Sequence, residues 1–197
     1  MDIRSYGNYP SNVLSNFAAN SFVFEGVECA SMEGLLQSFK FCDRSRQLAL
    51  CQMVGLDAKY AGRAGNGWMK TQTLHWNGVE YDRHGVEYQM LIARAFTALT
   101  ENERFLKALL RSRGKMLTHS VGHNVAKKTV LTAEEFCATL MSLRHQLQHL
   151  PEPPNTDLLR PHTPSAPQPN PALAKADLYD QEMRRQFDER CGQMGGG

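Results

Sequence analysis

The chain has 197 residues, with 22 Lys+Arg against 20 Asp+Glu and 42% hydrophobic residues, which allows one domain with its own core and leaves no room for a second full one. No stretch approaches the ~18 consecutive apolar residues of a membrane-spanning helix, so a transmembrane protein is excluded. Eight of the nine prolines fall between Pro151 and Pro171, dividing the chain into a folding part and a tail.

The first ten residues lack the basic segment and apolar run of a secretory signal, so cytoplasm is the expected compartment. Ser21–Cys29 is strand-like with a turn at Glu25-Gly26, which predicts a small hairpin. From Ser31 the pattern is helical: Ser31 can cap, Glu33 sits in the first turn, and strong helix formers continue to about Met53. Residues 54–85 contain many glycines among polar and aromatic residues and predict a long, mostly irregular connection, with a hairpin around Leu74–Tyr81. Such a connection is often part of a site.

Tyr88, Leu91, Ile92, Ala95, Phe96 and Leu99 recur at helical spacing over Val86–Leu99, and Glu101–Ser112 predicts a second helix, expected to pack antiparallel on the first. Gly114 ends it, and Met116–Gly122 reads as a short extended segment. Thr132 with Glu135 forms a capping box for a last helix, with Phe136, Leu140, Leu143, Leu147 and Leu150 on its apolar face. The expected fold is a single α+β domain over 1–150, mainly helical with a small N-terminal β element. A Pro-rich linker at 151–173 and a charged tail at 174–197, with a helix over 174–190, follow.

Residues 1–150 carry 17 Lys+Arg and 13 Asp+Glu, a formal +4, whereas residues 151–197 carry 5 and 7, a formal −2. The folded part is thus mildly basic, too weakly for a duplex-binding stripe but suited to one phosphorylated ligand. Cys29, Cys42, Cys51, Cys137 and Cys191 have no metal-ligand spacing, and are expected to be reduced thiols, with no metal site.

The segment Ser31–Phe41 carries the clearest chemistry. Glu33, Gln37 and Lys40 stand at i, i+4 and i+7, one polar stripe on an otherwise apolar helix. Helical side chains lean toward the N-terminus, so the Lys40 amine can swing back toward Glu33. A carboxylate and an amine in a partly dry groove shift each other's pKa, as acid/base and nucleophilic pairs require. The competing reading is a solvated face with an incidental ion pair. Asn16, in Leu14-Ser15-Asn16-Phe17, either presents its amide to a ligand or caps a local turn. Trp68 and Trp76 either stack on a base or cover the core. Arg63 and Arg83 either fork onto phosphate or form surface ion pairs. His119 is a site candidate or a core histidine.

Together, Leu14-Ser15-Asn16-Phe17, Met32-Glu33 with Gln37 and Lys40-Phe41, the Phe105–Leu110 helix and Leu140-Met141-Ser142-Leu143-Arg144 resemble the NADAR superfamily, the YbiA-like proteins, over about residues 3–150. The resemblance implies an N-glycosidase that acts without a cofactor on ADP-ribosylated guanine or a ribosylamino-pyrimidine phosphate. The partner is then a phosphorylated ribosyl or ADP-ribosyl substrate, free or carried on nucleic acid. Glu33 and Lys40 match the family's reactive pair, with Gln37 and Asn16 lining the site and Trp76 matching a mid-domain aromatic. The family's downstream acidic residue near a Trp-Gly pair is replaced by Thr118–Gly122, where His119 is the candidate. Two other classes remain open: a non-catalytic ADP-ribose or nucleotide-binding module, and an interaction protein whose 174–190 helix docks a partner.

Overall fold

The computed structural model describes residues 1–150; the linker and tail expected at 151–173 and 174–197 lie outside the described residues. Within them the fold is α+β and mainly helical, with two separate two-stranded antiparallel sheets. In chain order the elements are α1 (Ser11–Leu14), β1 (Phe22–Phe24), β2 (Val27–Cys29), α2 (Met32–Ser38), α3 (Arg44–Cys51), α4 (Gly55–Gly62), α5 (Trp68–Thr71), β3 (Thr73–Trp76), β4 (Val79–Asp82), α6 (Val86–Leu99), α7 (Glu103–Arg111) and α8 (Ala133–Gln146).

Both expected hairpins are present. β1 and β2 pair with Phe22 opposite Cys29, and β3 and β4 pair with Thr73 opposite Asp82. Each closes through two residues of positive φ, Glu25-Gly26 and Asn77-Gly78, the conformation that matches the twist of a tight hairpin. Glu25 accepts the Trp76 indole N–H at 2.8 Å and faces Arg94 at 3.0 Å. These two bonds pin the first hairpin to β3 and α6.

The helix expected from Ser31 to about Met53 is two helices. α2 stops at Ser38, because Phe39 turns into the core and is fully buried, and Asp43 then accepts from the Arg46 N–H and starts α3. An N-cap aspartate satisfies one of the orphan donors that every new helix creates. The 54–85 connection is likewise more regular than expected: α4, a 3-10 turn at Arg63–Gly65 and α5 precede the second hairpin.

α6 buries the six predicted residues, and α8 carries the predicted Thr132–Glu135 capping box. The expected packing of α6 on α7 is not the principal one. α6 lies against β1, β4 and α8, whereas α7 lies against α1 and α8. Asn102 explains the redirection: it caps α7 through Phe105 and donates to the Ser21 carbonyl at 2.9 Å, fixing the corner between the helices. The segment around Thr118 runs beside the N-terminus, with Ile3 donating to Thr118 at 2.8 Å. No helix among the described residues is long and apolar enough to cross a membrane. The described cysteines Cys29, Cys42, Cys51 and Cys137 are free thiols.

Candidate active site

Three local structures converge at the start of α2. Ser15 organises the Leu14–Phe17 turn, its hydroxyl and carbonyl accepting from Phe17 and Ala18. The Asn16 carbonyl of that turn accepts the Glu33 N–H at 3.0 Å, and Ser31 Oγ accepts from Gly34 at 3.0 Å while donating to Met53. The donors at the head of α2 are thereby satisfied from two sides, which fixes where Glu33 points.

Glu33 is buried, 8% exposed. A carboxylate in such a place needs hydrogen bonds to offset its lost hydration, and Gln37, one turn on, donates to Glu33 Oε1 at 2.9 Å. The opposite end of that amide, Gln37 Oε1, and the Asn16 Oδ1 atom are buried with no hydrogen-bond partner. An orphaned buried acceptor costs roughly 1–3 kcal/mol unless a ligand or a water satisfies it.

Lys40 follows α2 instead of lying on it, held by 3-10-type bonds from Lys40 to Gln37 and from Phe41 to Ser38. Its amine does not fold back onto Glu33 as the stripe predicts. The ammonium donates to Asn66 Oδ1 at 2.9 Å. Burial pushes the Lys40 amine down to about 8; the Glu33 charge opposes that shift, while Lys59 and Arg63 add to it. Glu33 and Lys40 are thus coupled through the field with no direct hydrogen bond required.

α4 reaches this close because two glycines let it. A Cβ at Gly62 would stand 1.9 Å from Gln37 Oε1, and one at Gly65 would stand 2.7 Å from Lys40 Cβ and 2.8 Å from the Phe41 ring. Glycine is the residue that permits such an approach of backbone to side chain. Lys59 and Arg63 occupy successive turns at the same end. The Lys59 amine lies 5.6 Å from the centre of the Phe17 ring, and the Arg63 guanidinium lies 4.5 Å from that of Tyr60.

The structure therefore brings together Asn16, Glu33, Gln37, Lys40 and Arg63. It does not bring Trp76 or His119 to them. The Trp76 ring is fully buried, 5.5 Å from Phe24 and 5.5 Å from Phe39 between centroids, with Arg44 over it and its N–H donated to Glu25. It is a core residue with no face left for a ligand. His119 faces the Ile3 carbonyl through Nδ1 at 2.8 Å and meets the Phe136 ring edge-on at 5.3 Å, a packing position against α8. Trp68 is also in the core. Arg83, 1% exposed, forks onto Glu135 at 3.0 and 2.6 Å and donates to Thr129, so its planar group serves the fold.

Asn66, Lys59, Gly62 and Gly65 are missing from the sequence-derived site. The i, i+4 basic pair Lys59 and Arg63 with glycines at 62 and 65 was the available signal, hidden by reading that stretch as irregular. Among the described residues no group of three or more His, Cys, Asp or Glu side chains is arranged to hold a metal.

Residues 8–145 match the family described as bacteriophage protein GP30.3. An uncharacterized 17.1 kDa protein from the Gp30–rIII intergenic region of Enterobacteria phage T4 is 37% identical over 149 residues, covering 75% of this chain and 98% of that protein. The NMR structure of Escherichia coli YbiA superposes with a TM-score of 0.52 at 18% identity, over 84% of this chain and 90% of that one. The YbiA-like architecture expected from the sequence is therefore present in the fold, and the chain belongs to the bacteriophage GP30.3 family.

Proposed function

We propose that the domain is an N-glycosidase that cleaves the bond between ribose and a base nitrogen or amine, on ADP-ribosylated guanine or a ribosylamino-pyrimidine phosphate. The observation that carries this reading is the Lys40 amine, half-buried, held by Asn66 and lowered to about 8 beside the buried Glu33. At pH 7 a lysine of that pKa is neutral in about a tenth of molecules, against well under one in a thousand for an ordinary lysine.

Cleavage of an N-glycosidic bond gathers positive charge on the anomeric carbon and negative charge on the departing nitrogen. Glu33 takes up the proton that the Lys40 ammonium gives up, and the neutral Lys40 amine then attacks that carbon and forms a C–N bond. The old C–N bond breaks, its electron pair stays with the base, and Glu33 delivers a proton to the base nitrogen. The ribose ring opens as one proton of the alkylated Lys40 nitrogen passes to the ring oxygen, which leaves a protonated imine on Lys40. Water, deprotonated by Glu33, adds to the imine carbon, and collapse releases the sugar aldehyde and restores the amine. Substrate plus one water thus gives base plus sugar. Asn16 and Gln37 line the approach, and the reduced thiols fit a cytoplasmic setting.

The test is release of free base, read by mass spectrometry, from ADP-ribosylated guanine DNA and from a ribosylamino-pyrimidine phosphate. Release from one of them, abolished in Glu33→Gln, is expected. Binding without release from either supports the alternative, a non-catalytic ADP-ribose or nucleotide-binding module.

A further inference from the structure

We propose that Cys29 and Cys51 are a peroxide-reactive dithiol, which hydrogen peroxide converts to an internal disulfide joining the end of β2 to the end of α3. The inference does not depend on the glycosidase reading, none of whose steps uses either thiol. The backbone brings the two residues together. The Ala30 N–H donates to the Cys51 carbonyl at 2.7 Å, Gln52 Nε2 donates to the Glu28 carbonyl at 2.8 Å, and Ser31 Oγ donates to the Met53 carbonyl at 2.8 Å. Residues 28–31 and 51–53 are thus laced along one seam, and the end of α3 cannot drift from β2 without breaking all three bonds. Both cysteines are buried, at 1% and 0% exposure, and their thiols stand within hydrogen-bonding reach of each other.

A buried cysteine ordinarily packs as a small, inert hydrophobe; the surroundings of this pair set it apart. The Cys29 thiol holds Cys51 below the ordinary thiol value, with the Ser38 hydroxyl and the Arg44 charge adding to the shift and burial opposing it. Cys29 is pushed the other way, by the same contact and by burial. The two thiols therefore divide into a nucleophile, Cys51, and a resolving partner, Cys29, as in cysteines that react with peroxide. Burial selects the oxidant, since a molecule little larger than water can reach the seam and a bulky disulfide cannot. Cys42, by contrast, is exposed.

One peroxide balances the chemistry. The Cys51 thiolate attacks a peroxide oxygen and the O–O bond breaks; the departing hydroxide takes up the proton that Cys51 gave away and leaves as water. The Cys29 sulfur then attacks the sulfur of the Cys51 sulfenic acid. An S–S bond forms, the S–O bond breaks, and the hydroxide leaves with the Cys29 proton as a second water. Two thiols are oxidised and one peroxide is reduced to two waters. The new bond encloses all of α2, with Glu33 and Lys40, in one covalent loop.

The experiment exposes the reduced full chain to hydrogen peroxide, blocks the remaining thiols with N-ethylmaleimide in denaturant, and maps the peptides by mass spectrometry without reductant. A peptide pair linked through Cys29 and Cys51, lost on treatment with dithiothreitol, is the expected result. In Cys29→Ala the sulfenic acid on Cys51 should persist and be trapped by dimedone, whereas in Cys51→Ala the Cys29 thiol should stay reduced. Melting curves check that both variants fold, and the wild-type map decides alone if either does not. Recovery of Cys29 and Cys51 as maleimide adducts after Cys42 has been fully oxidised overturns the proposal. Linkage of either residue to Cys42 or Cys191 instead, or oxidation of Cys51 that runs on to sulfinic acid in the wild type, overturns it equally.

Discussion

Lys40 and Asn66, 26 residues apart in sequence, are joined by a 2.9 Å hydrogen bond from Nζ to Oδ1, and a neutral amide is thereby the direct partner of a half-buried amine. An amide accepts the proton of the ammonium without supplying a full negative charge, so it positions the amine while leaving its affinity for protons low. A carboxylate there would raise that affinity by about 1–2 units. Asn66→Asp is therefore expected to cut kcat/KM at pH 7 by roughly tenfold or more and to recover at higher pH. A pH–rate profile checks this; a profile that does not move would separate Asn66 from the amine's reactivity.

Lys40 also makes a statement about stability. Its folded pKa of about 8 lies below the 10.5 of a free lysine, so below pH 8 the folded state carries the full cost of a buried ammonium, on the order of 2 kcal/mol for a half-buried group. Between pH 8 and 10.5 the unfolded chain binds a proton that the folded one has released, and stability rises with pH. Lys40→Met is expected to raise the midpoint of urea denaturation at pH 7, with the gain over wild type shrinking as pH passes from 8 to 10.5.

The approach of α4 is tested by two alanines. Gly62→Ala places a methyl group 1.9 Å from Gln37 Oε1, and overpacking of this kind costs about 1–3 kcal/mol. Gly67, with no atom within 4 Å of its would-be Cβ and a φ of −55°, accepts alanine within about 0.5 kcal/mol of neutral. Denaturant unfolding of both variants separates a seam that needs glycine from a loop that merely contains it.

Arg83 and Glu135 form a forked pair in which the arginine is almost fully buried. Burial raises the Glu135 carboxyl, but the Arg83 and Thr132 hydrogen bonds outweigh it and hold the group below the usual carboxylate range. The pair's contribution is thus present above about pH 4.5 and is lost as pH falls through the depressed folded value. Arg83→Met is expected to cost about 3 kcal/mol at pH 7, since it leaves a partly buried carboxylate unpaired. Thermal melts of both proteins down to pH 3 should show the gap closing with acid.

Much of this molecule is legible in its sequence, and the misses share a cause. α6 and α8 carry their own periodicity and caps, and the Asn16, Glu33, Gln37 and Lys40 positions lie within two short motifs. The break after Ser38 is tertiary in origin: Phe39 leaves the helix because it packs between Trp76 and Tyr88. Asn66 became a partner of Lys40 through the approach of a helix whose glycines look, in sequence, like loop residues. Trp76 and His119 stood open between ligand contact and core; burial against Phe24 and Phe39 puts Trp76 in the core, and His119, partly exposed, packs edge-on to Phe136.

The attack of Lys40 on the anomeric carbon is the step on which the account turns. Intact-protein mass spectrometry after borohydride quenching, with ADP-ribosylated guanosine or the ribosylamino-pyrimidine phosphate present, reads it directly. A single sugar adduct mapped to Lys40, missing in Lys40→Met, is the expected result. Base release at full rate with Lys40 unmodified, or undiminished release by Lys40→Met, would contradict it.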